Sequence, residues 1–280
     1  IARLRLAEYD TLKQKGATTL DVRPGELFGG GHAADSLNIG IANPSFSIWS
    51  GFFVNPDLPI VLVAENDTQA QQAQLELARI GFDLVEGFIT ADDLGEKQQI
   101  AQLEVGDFLA SLASPQHPIV LDVRSSAEWN EDHLESAIHI PLPELPGRIG
   151  ELSRKAPLTV LCGSGYRSSI ATSLLESEGF ERLSNVMGGM QAVRQHILGF
   201  TSGYRSTNTQ AGGFCFIQRA SSGLASASVS PWLLGLRCWF SVMAKRARST
   251  AFWTCGEKLM TLAGNWSFAA NVKKSASRMG

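Results

Sequence analysis

An internal repeat constrains this chain more than any other feature. Pro59 to Phe82 aligns with Pro157 to Phe180 without a gap at a spacing of 98, and both pieces end in Gly-Phe-acid. Asp21-Val22-Arg23 recurs as Asp122-Val123-Arg124 at a spacing of 101. Each copy alternates strand and helix signals. In the first, Ala2 to Leu6 reads as a short edge strand and Ala7 to Lys15 as a helix stopped by Gly16. Thr18 to Arg23 and Leu58 to Ala64 read as strands, and Thr68 to Ile80 as a helix stopped by Gly81. In the second, Leu103 to Val105, Ile119 to Arg124 and Leu158 to Leu161 read as strands. Helices are expected from Gly106 to Ser114 and from Ser169 to a stop at Gly179. Such alternation predicts an α/β protein with two parallel sheets, each with helices on both faces. The domain plan is 1–90, a polar linker over 91–102, 103–199, and a tail over 200–280 of unassigned structure.

Cys162 stands where the second copy's apolar strand ends. Gly163, Ser164, Gly165, Tyr166, Arg167 and Ser168 then lead into a helix. Small residues at a strand-to-helix junction let backbone N–H groups converge on one point, and the helix dipole adds positive potential. Gly163 and Gly165 let the backbone curl without a Cβ penalty. A thiolate or persulfide at that point is stabilised, which makes Cys162 the candidate nucleophile and residues 163–168 the candidate substrate-binding loop. Arg167 is expected to supply a fixed cation for an anionic substrate. The bland alternative is an inert cysteine in a strand-to-helix turn.

The first copy lacks these features. Ala64 stands at the position of Cys162, Asp67 at Gly165 and Gln69 at Arg167, while Glu65 and Asp67 add negative charge. The first copy is therefore expected to be non-catalytic, packing against the second and shaping the mouth of its site. Asp122 and Arg124 have two readings. They support and orient the loop, or they form a buried ion pair, with Glu128, that fixes their own turn. Their retention as Asp21 and Arg23 in the first copy favours the second reading.

Charge divides the chain near residue 200. Residues 1–190 hold 13 basic and 26 acidic residues, whereas 191–280 hold eleven basic and one acidic. The tail has four of the six tryptophans, and its apolar stretch from Val229 to Ala244 is broken by Pro231, Gly235 and Arg237. That is too short and interrupted for a membrane span, so no span is expected, and no nucleic acid is expected as a partner. His32, His117, His133, His139 and His196 show no metal-ligand spacing, nor do Cys215, Cys238 and Cys255, so no metal is expected. Four cysteines without paired spacing suggest a reducing, cytoplasmic setting. No secretory leader is apparent, and a chain opening on Ile1 is expected to be processed or part of something longer.

Residues 115–193 resemble the rhodanese family of sulfurtransferases. The resemblance rests on Asp122-Val123-Arg124, Glu128-Trp129, His133-Leu134, Ala137-Ile138-His139-Ile140-Pro141, the Cys162–Ser168 loop and Gly188-Gly189-Met190, in the family's order. Asp132 departs from it, since the family usually has Gly before that His. Residues 1–90 look like a degenerate copy, giving tandem rhodanese-like domains. Such pairs occur behind a metallo-β-lactamase-like persulfide dioxygenase module, so an upstream metallo-hydrolase is a conceivable partner.

The resemblance implies a cofactor-free reaction. Cys162 takes sulfane sulfur from thiosulfate or a low-molecular-weight persulfide and passes it to a thiol, sulfite or cyanide. Related phosphatases and arsenate reductases carry one more residue in this loop than the six from Cys162 to Arg167. That chemistry is the first alternative, and a sulfur-carrying or regulatory module with little turnover is the second.

Overall fold

The computed structural model describes residues 1–197. The expectations for the tail, including Cys215, Cys238, Cys255 and the apolar stretch Val229 to Ala244, lie outside the described residues. The first half contains α1 (Leu6–Gln14), β1 (Thr18–Asp21), α2 (Gly25–Gly30), β2 (Leu37–Asn38), α3 (Phe46–Phe53), β3 (Ile60–Val63), α4 (Asp67–Ala78) and β4 (Val85–Ile89). The second contains β5 (Ala101–Leu103), α5 (Val105–Leu112), β6 (Ile119–Asp122), α6 (Ser126–Glu131), β7 (Ile138–His139), α7 (Leu145–Arg148), β8 (Leu158–Leu161), α8 (Tyr166–Ser177) and β9 (Leu183–Val186), then helical residues 189–197.

The two sheets share a strand order. The first runs β2-β1-β3-β4, and Arg3 pairs with Phe88 on the outer side of β4. The second runs β7-β6-β8-β9-β5. Every pairing is parallel. The central strands β3 and β8 are buried at all four positions, which is why both read as unbroken apolar runs.

Side chains alternate between two faces of each sheet. Leu20, Val22, Leu62 and Ala64 of the first half share one core with Leu121, Val123, Val160 and Cys162 of the second. The opposite faces close separately: Val61, Val63 and Ile89 with Tyr9 of α1, and Val120, Leu161 and Val186 with Phe108 of α5.

Two expectations change. Residues 91–102 are not wholly a linker. Gln98 pairs with the His32 backbone in both directions, Ile100 is buried, and β5 already begins at Ala101. Polar composition hid this because the segment makes its contacts mainly through backbone. The helix expected from Ser169 begins at Tyr166 and is buried at seven positions from Ser168 to Leu175. One side of α8 rests on its own sheet, while α2 and β2 of the first half cover another. Full burial of Ile170 and Leu175 stabilises this packing by roughly 1.5–3 kcal/mol each.

Candidate active site

Cys162 directly follows β8 and is fully buried. The Gly165 N–H donates to Sγ at 3.1 Å, and the Ser168 hydroxyl lies 3.3 Å from Sγ and 3.1 Å from the Gly165 carbonyl. The loop can present its N–H groups because its carbonyls are held elsewhere. Met190 N–H donates to the Cys162 carbonyl at 2.7 Å, and Gln191 N–H to the Gly163 carbonyl at 2.9 Å.

Two glycines make this geometry available. Gly165 caps α8 in the left-handed region (φ +95°), and a Cβ there would lie 3.2 Å from Gly188 N. A Cβ on Gly189 (φ +53°) would overlap the Cys162 carbonyl oxygen. The Gly188-Gly189 pair therefore lets residues 189–197 approach close enough to grip the loop.

Arg167 is not the free cation that its sequence position suggests. It donates to both oxygens of Glu128, at 2.7 and 2.6 Å. Glu128 is the third residue of α6 and closes a capping box with Ser125, whose N–H and hydroxyl donate to Oε2 at 3.1 and 2.8 Å. The Arg167 hydrogen bonds, helped by Ser125, hold the Glu128 carboxyl down to about 2. The pair lies over Gly163, where a Cβ would be 3.1 Å from Arg167 Nη2 and 3.4 Å from Glu128 Oε1. Ser164 is exposed. Tyr166 turns its ring toward Gly40 of the first half, its hydroxyl is buried without a partner among the described residues, and burial pushes its phenol up.

Asp122 and Arg124 form the buried pair that the sequence suggested, with different company. Arg124 Nε lies 3.0 Å from each Asp122 oxygen, and Nη2 donates to Asp122 Oδ2 and to the Asp132 carbonyl at 2.7 Å each. Glu128 is not part of this pair; its carboxylate turns instead to Arg167. The third group is Asp132, whose Oδ1 accepts from Arg124 Nη1 at 3.3 Å. Asp132 also accepts from Arg194 Nε at 2.8 Å and Nη2 at 2.5 Å, so Arg194, then Arg124, hold its carboxyl below the usual range. Asp132 thereby ties residues 189–197 to the turn after α6. The sequence singled out Asp132 only as a departure, and its cationic partner lies 62 residues away. The same bonds recur in the first half, where Arg23 pairs with Asp21 and donates to the Gly31 carbonyl at 2.9 Å. The side-chain bonds of Asp122 and Arg124 hold their own turn and the one after α6, and none reaches the Cys162 loop, which agrees with the turn-fixing reading.

Two histidines of this half bond to backbone carbonyls. His133 Nδ1 donates to the Trp129 carbonyl at 2.9 Å, and His139 Nε2 donates to the Arg124 carbonyl at 2.9 Å. Among the described residues no group of three or more His, Cys, Asp or Glu is placed to hold a metal ion, and no helix is long and apolar enough to cross a membrane.

The corresponding loop of the first half is closed by its own side chains. Gln69 Oε1 accepts the Glu65 N–H at 2.8 Å, and Asn66 Oδ1 accepts the Gln69 N–H at 3.0 Å. Asn66 is extended (φ −161°), and α4 starts at Asp67, the position of Gly165.

Residues 104–196 match the family described as the rhodanese-like domain. A Bacillus subtilis protein named a putative sulfur carrier is 32% identical over 92 residues, 33% of this chain and 50% of that protein. The chain thus spans half the length of that relative. A sulfurtransferase of Allochromatium vinosum is 29% identical over 30% of this chain and 79% of its own length. A thiosulfate sulfurtransferase structure from Pseudomonas aeruginosa, 19% identical, covers 70% of this chain and 40% of its own at a TM-score of 0.31. Residues 104–196, with the Cys162 loop among them, are thus similar to the rhodanese-like domain family, and a protein named a sulfurtransferase is among the relatives they resemble.

Proposed function

We propose that this protein transfers sulfane sulfur through a persulfide on Cys162, and that residues 1–90 are a non-catalytic rhodanese-like copy. The observation that carries this reading is the Cys162 thiol itself: buried, at the end of a central parallel strand, with the Gly165 N–H and the Ser168 hydroxyl both within reach of Sγ. Donors fixed around a sulfur atom stabilise the anion that forms there and need no reorganisation during the reaction.

The thiolate attacks the outer sulfur of a small-molecule donor. With thiosulfate, the S–S bond to the sulfonate breaks, sulfite leaves with the bonding electrons, and Cys162 carries the persulfide anion. With an organic persulfide the leaving group is a thiolate, which takes up the persulfide's proton. A thiol, sulfite or cyanide acceptor then attacks the terminal sulfur and regenerates the Cys162 thiolate. The steps require no metal or cofactor, and ping-pong kinetics follow. Engagement of Arg167 by Glu128 leaves little uncompensated positive charge at the loop, so donors with a neutral end are favoured over dianionic thiosulfate.

Mass spectrometry of the intact protein after exposure to thiosulfate or a small persulfide tests the reading. A gain of one sulfur, mapped to Cys162, is expected. A phosphatase or arsenate reductase on the same loop would gain none, and a sulfur carrier would load but turn over poorly with small acceptors.

A further inference from the structure

The covered side of α8 carries Ser169, Ser173 and Glu176, at successive spacings of four and three. Helical geometry lines such residues up on one stripe, and the first half holds all three. Ser169 donates to Asn38 Oδ1 at 2.6 Å, and Ser173 Oγ accepts from the Asn38 backbone N–H at 3.0 Å. Glu176 Oε2 lies 2.7 Å from Nε2 of the buried His32, whose Nδ1 donates to the Phe28 carbonyl at 2.8 Å.

Asn38, 1% exposed, uses both ends of its amide. Nδ2 donates to the carbonyls of Asp21 and Arg23, at 3.1 and 3.0 Å, which anchors it to the end of β1. Oδ1 is left to face α8. The corresponding residue of the second half is His139, which keeps only the inward bond, to the Arg124 carbonyl. The outward contact is thus an addition made where the first half meets α8. Gly25 accommodates it, since a Cβ there would lie 2.7 Å from Ser169 Oγ.

Ser169 follows Ser168, whose hydroxyl reaches Sγ, and α8 begins directly after Gly165, whose N–H donates to Sγ. A slide or rotation of α8 moves both donors relative to the sulfur. We infer that Asn38, acting through Ser169, is a positioning residue for the sulfur site, and that the inactive half thereby sets the distance between Cys162 and its two donors. The inference rests on the sulfur-transfer reading above.

The test uses the full chain. Asn38→His imports the second half's residue, keeping the inward bond and removing Oδ1. Ser169→Ala removes the hydroxyl and leaves the helix intact. Ser36→Ala is the control, because its hydroxyl is buried and bonded to the Ala33 carbonyl of its own half. Three quantities are measured: the rate of Cys162 alkylation by iodoacetamide, read on its peptide; the rate of sulfur loading from a small persulfide; and the thermal midpoint.

Both interface variants are expected to slow alkylation and loading by about tenfold at a temperature where they are fully folded, because misplaced catalytic groups lose rate steeply. Ser36→Ala is expected to lower the midpoint and leave the rates unchanged. Lower midpoints with both rates at the parent values would mean that Asn38 and Ser169 only hold the halves together, and the inference would be wrong. Ser169→Ala decides the matter alone if Asn38→His does not fold. If the parent takes up no sulfur, the sulfur-transfer reading fails, while the alkylation rates still decide the positioning claim.

Discussion

The loops at residues 64–69 and 162–167 leave equivalent central strands and differ in what satisfies their backbone. In the first, Gln69 and Asn66 accept the loop's own N–H groups, and α4 begins at Asp67. In the second, no side chain of Gly163, Ser164 or Gly165 accepts a loop N–H, and the left-handed Gly165 turns its N–H to Sγ. Both halves keep the Asp-Arg pair behind the loop almost bond for bond. The scaffold is therefore common to both, and the two loops differ in a few residues. An anion cradle depends as much on the absence of competing acceptors as on the presence of donors.

The largest expected effect tests whether the asymmetry is complete. Cys162→Ser should abolish sulfur loading with little change in thermal midpoint, the substitution being nearly isosteric. Loading that persists in this variant, carried on Cys215, Cys238 or Cys255, would overturn the assignment of Cys162.

Gly165→Asp imports the first half's residue. It forces a side chain into φ +95° and against Gly188 N, a strain of roughly 1–3 kcal/mol. Loading should fall at least about tenfold, more than stability alone explains, because the N–H aimed at Sγ is lost. A variant that unfolds more readily yet loads normally would show that the glycine serves only the turn.

Glu128→Gln should sharpen the account of Arg167. Removing the carboxylate charge frees the guanidinium, so thiosulfate use should rise several-fold relative to a neutral organic persulfide. Arg167→Ala should lower thiosulfate use more than persulfide use in the Glu128→Gln background, and less clearly in the parent. An unchanged donor ratio in Glu128→Gln would mean that Arg167 only braces the loop.

The pH dependence of the same pair is smaller. The Glu128 carboxyl is depressed in the folded state to about 2 from an ordinary 4.5. A depressed carboxyl contributes stability above its unfolded value and loses it as pH falls through the folded one. The pair should therefore be fully formed above 4.5 and fade toward 2. Thermal midpoints of the parent and Glu128→Gln should converge over that window and stay a fixed distance apart above it. A gap that changes between pH 6 and 8 would contradict the assignment.

The smallest expected effect is none. Ala64→Cys in the Cys162→Ser background should remain unloaded, because Glu65 and Asp67 repel an anion and the Gln69 and Asn66 side chains already hold loop N–H groups. Substantial persulfide at position 64 would show that the first loop remains competent and that these residues matter less than argued.

The sequence by itself determined the parallel α/β plan, the repeat and the location of the Cys162 loop. Strand burial, helix stops and a nucleophile at a strand end are local patterns, written in neighbouring residues such as Leu158 to Leu161 and Gly179. The contrast with the first loop is legible too, since Glu65, Asp67 and Gln69 can be read one by one. Tertiary structure decided what pairs with what. Arg167 reads as a free cation until α6 brings Glu128, 39 residues away, onto it. Asp132 reads as a deviation until residues 189–197 bring Arg194 to it. The serines of α8 have no legible partner in the sequence until Asn38, 131 residues before Ser169, docks on their stripe. Each of these partners is short-ranged in space and remote in the chain, and hydrogen bonds depend on the former alone.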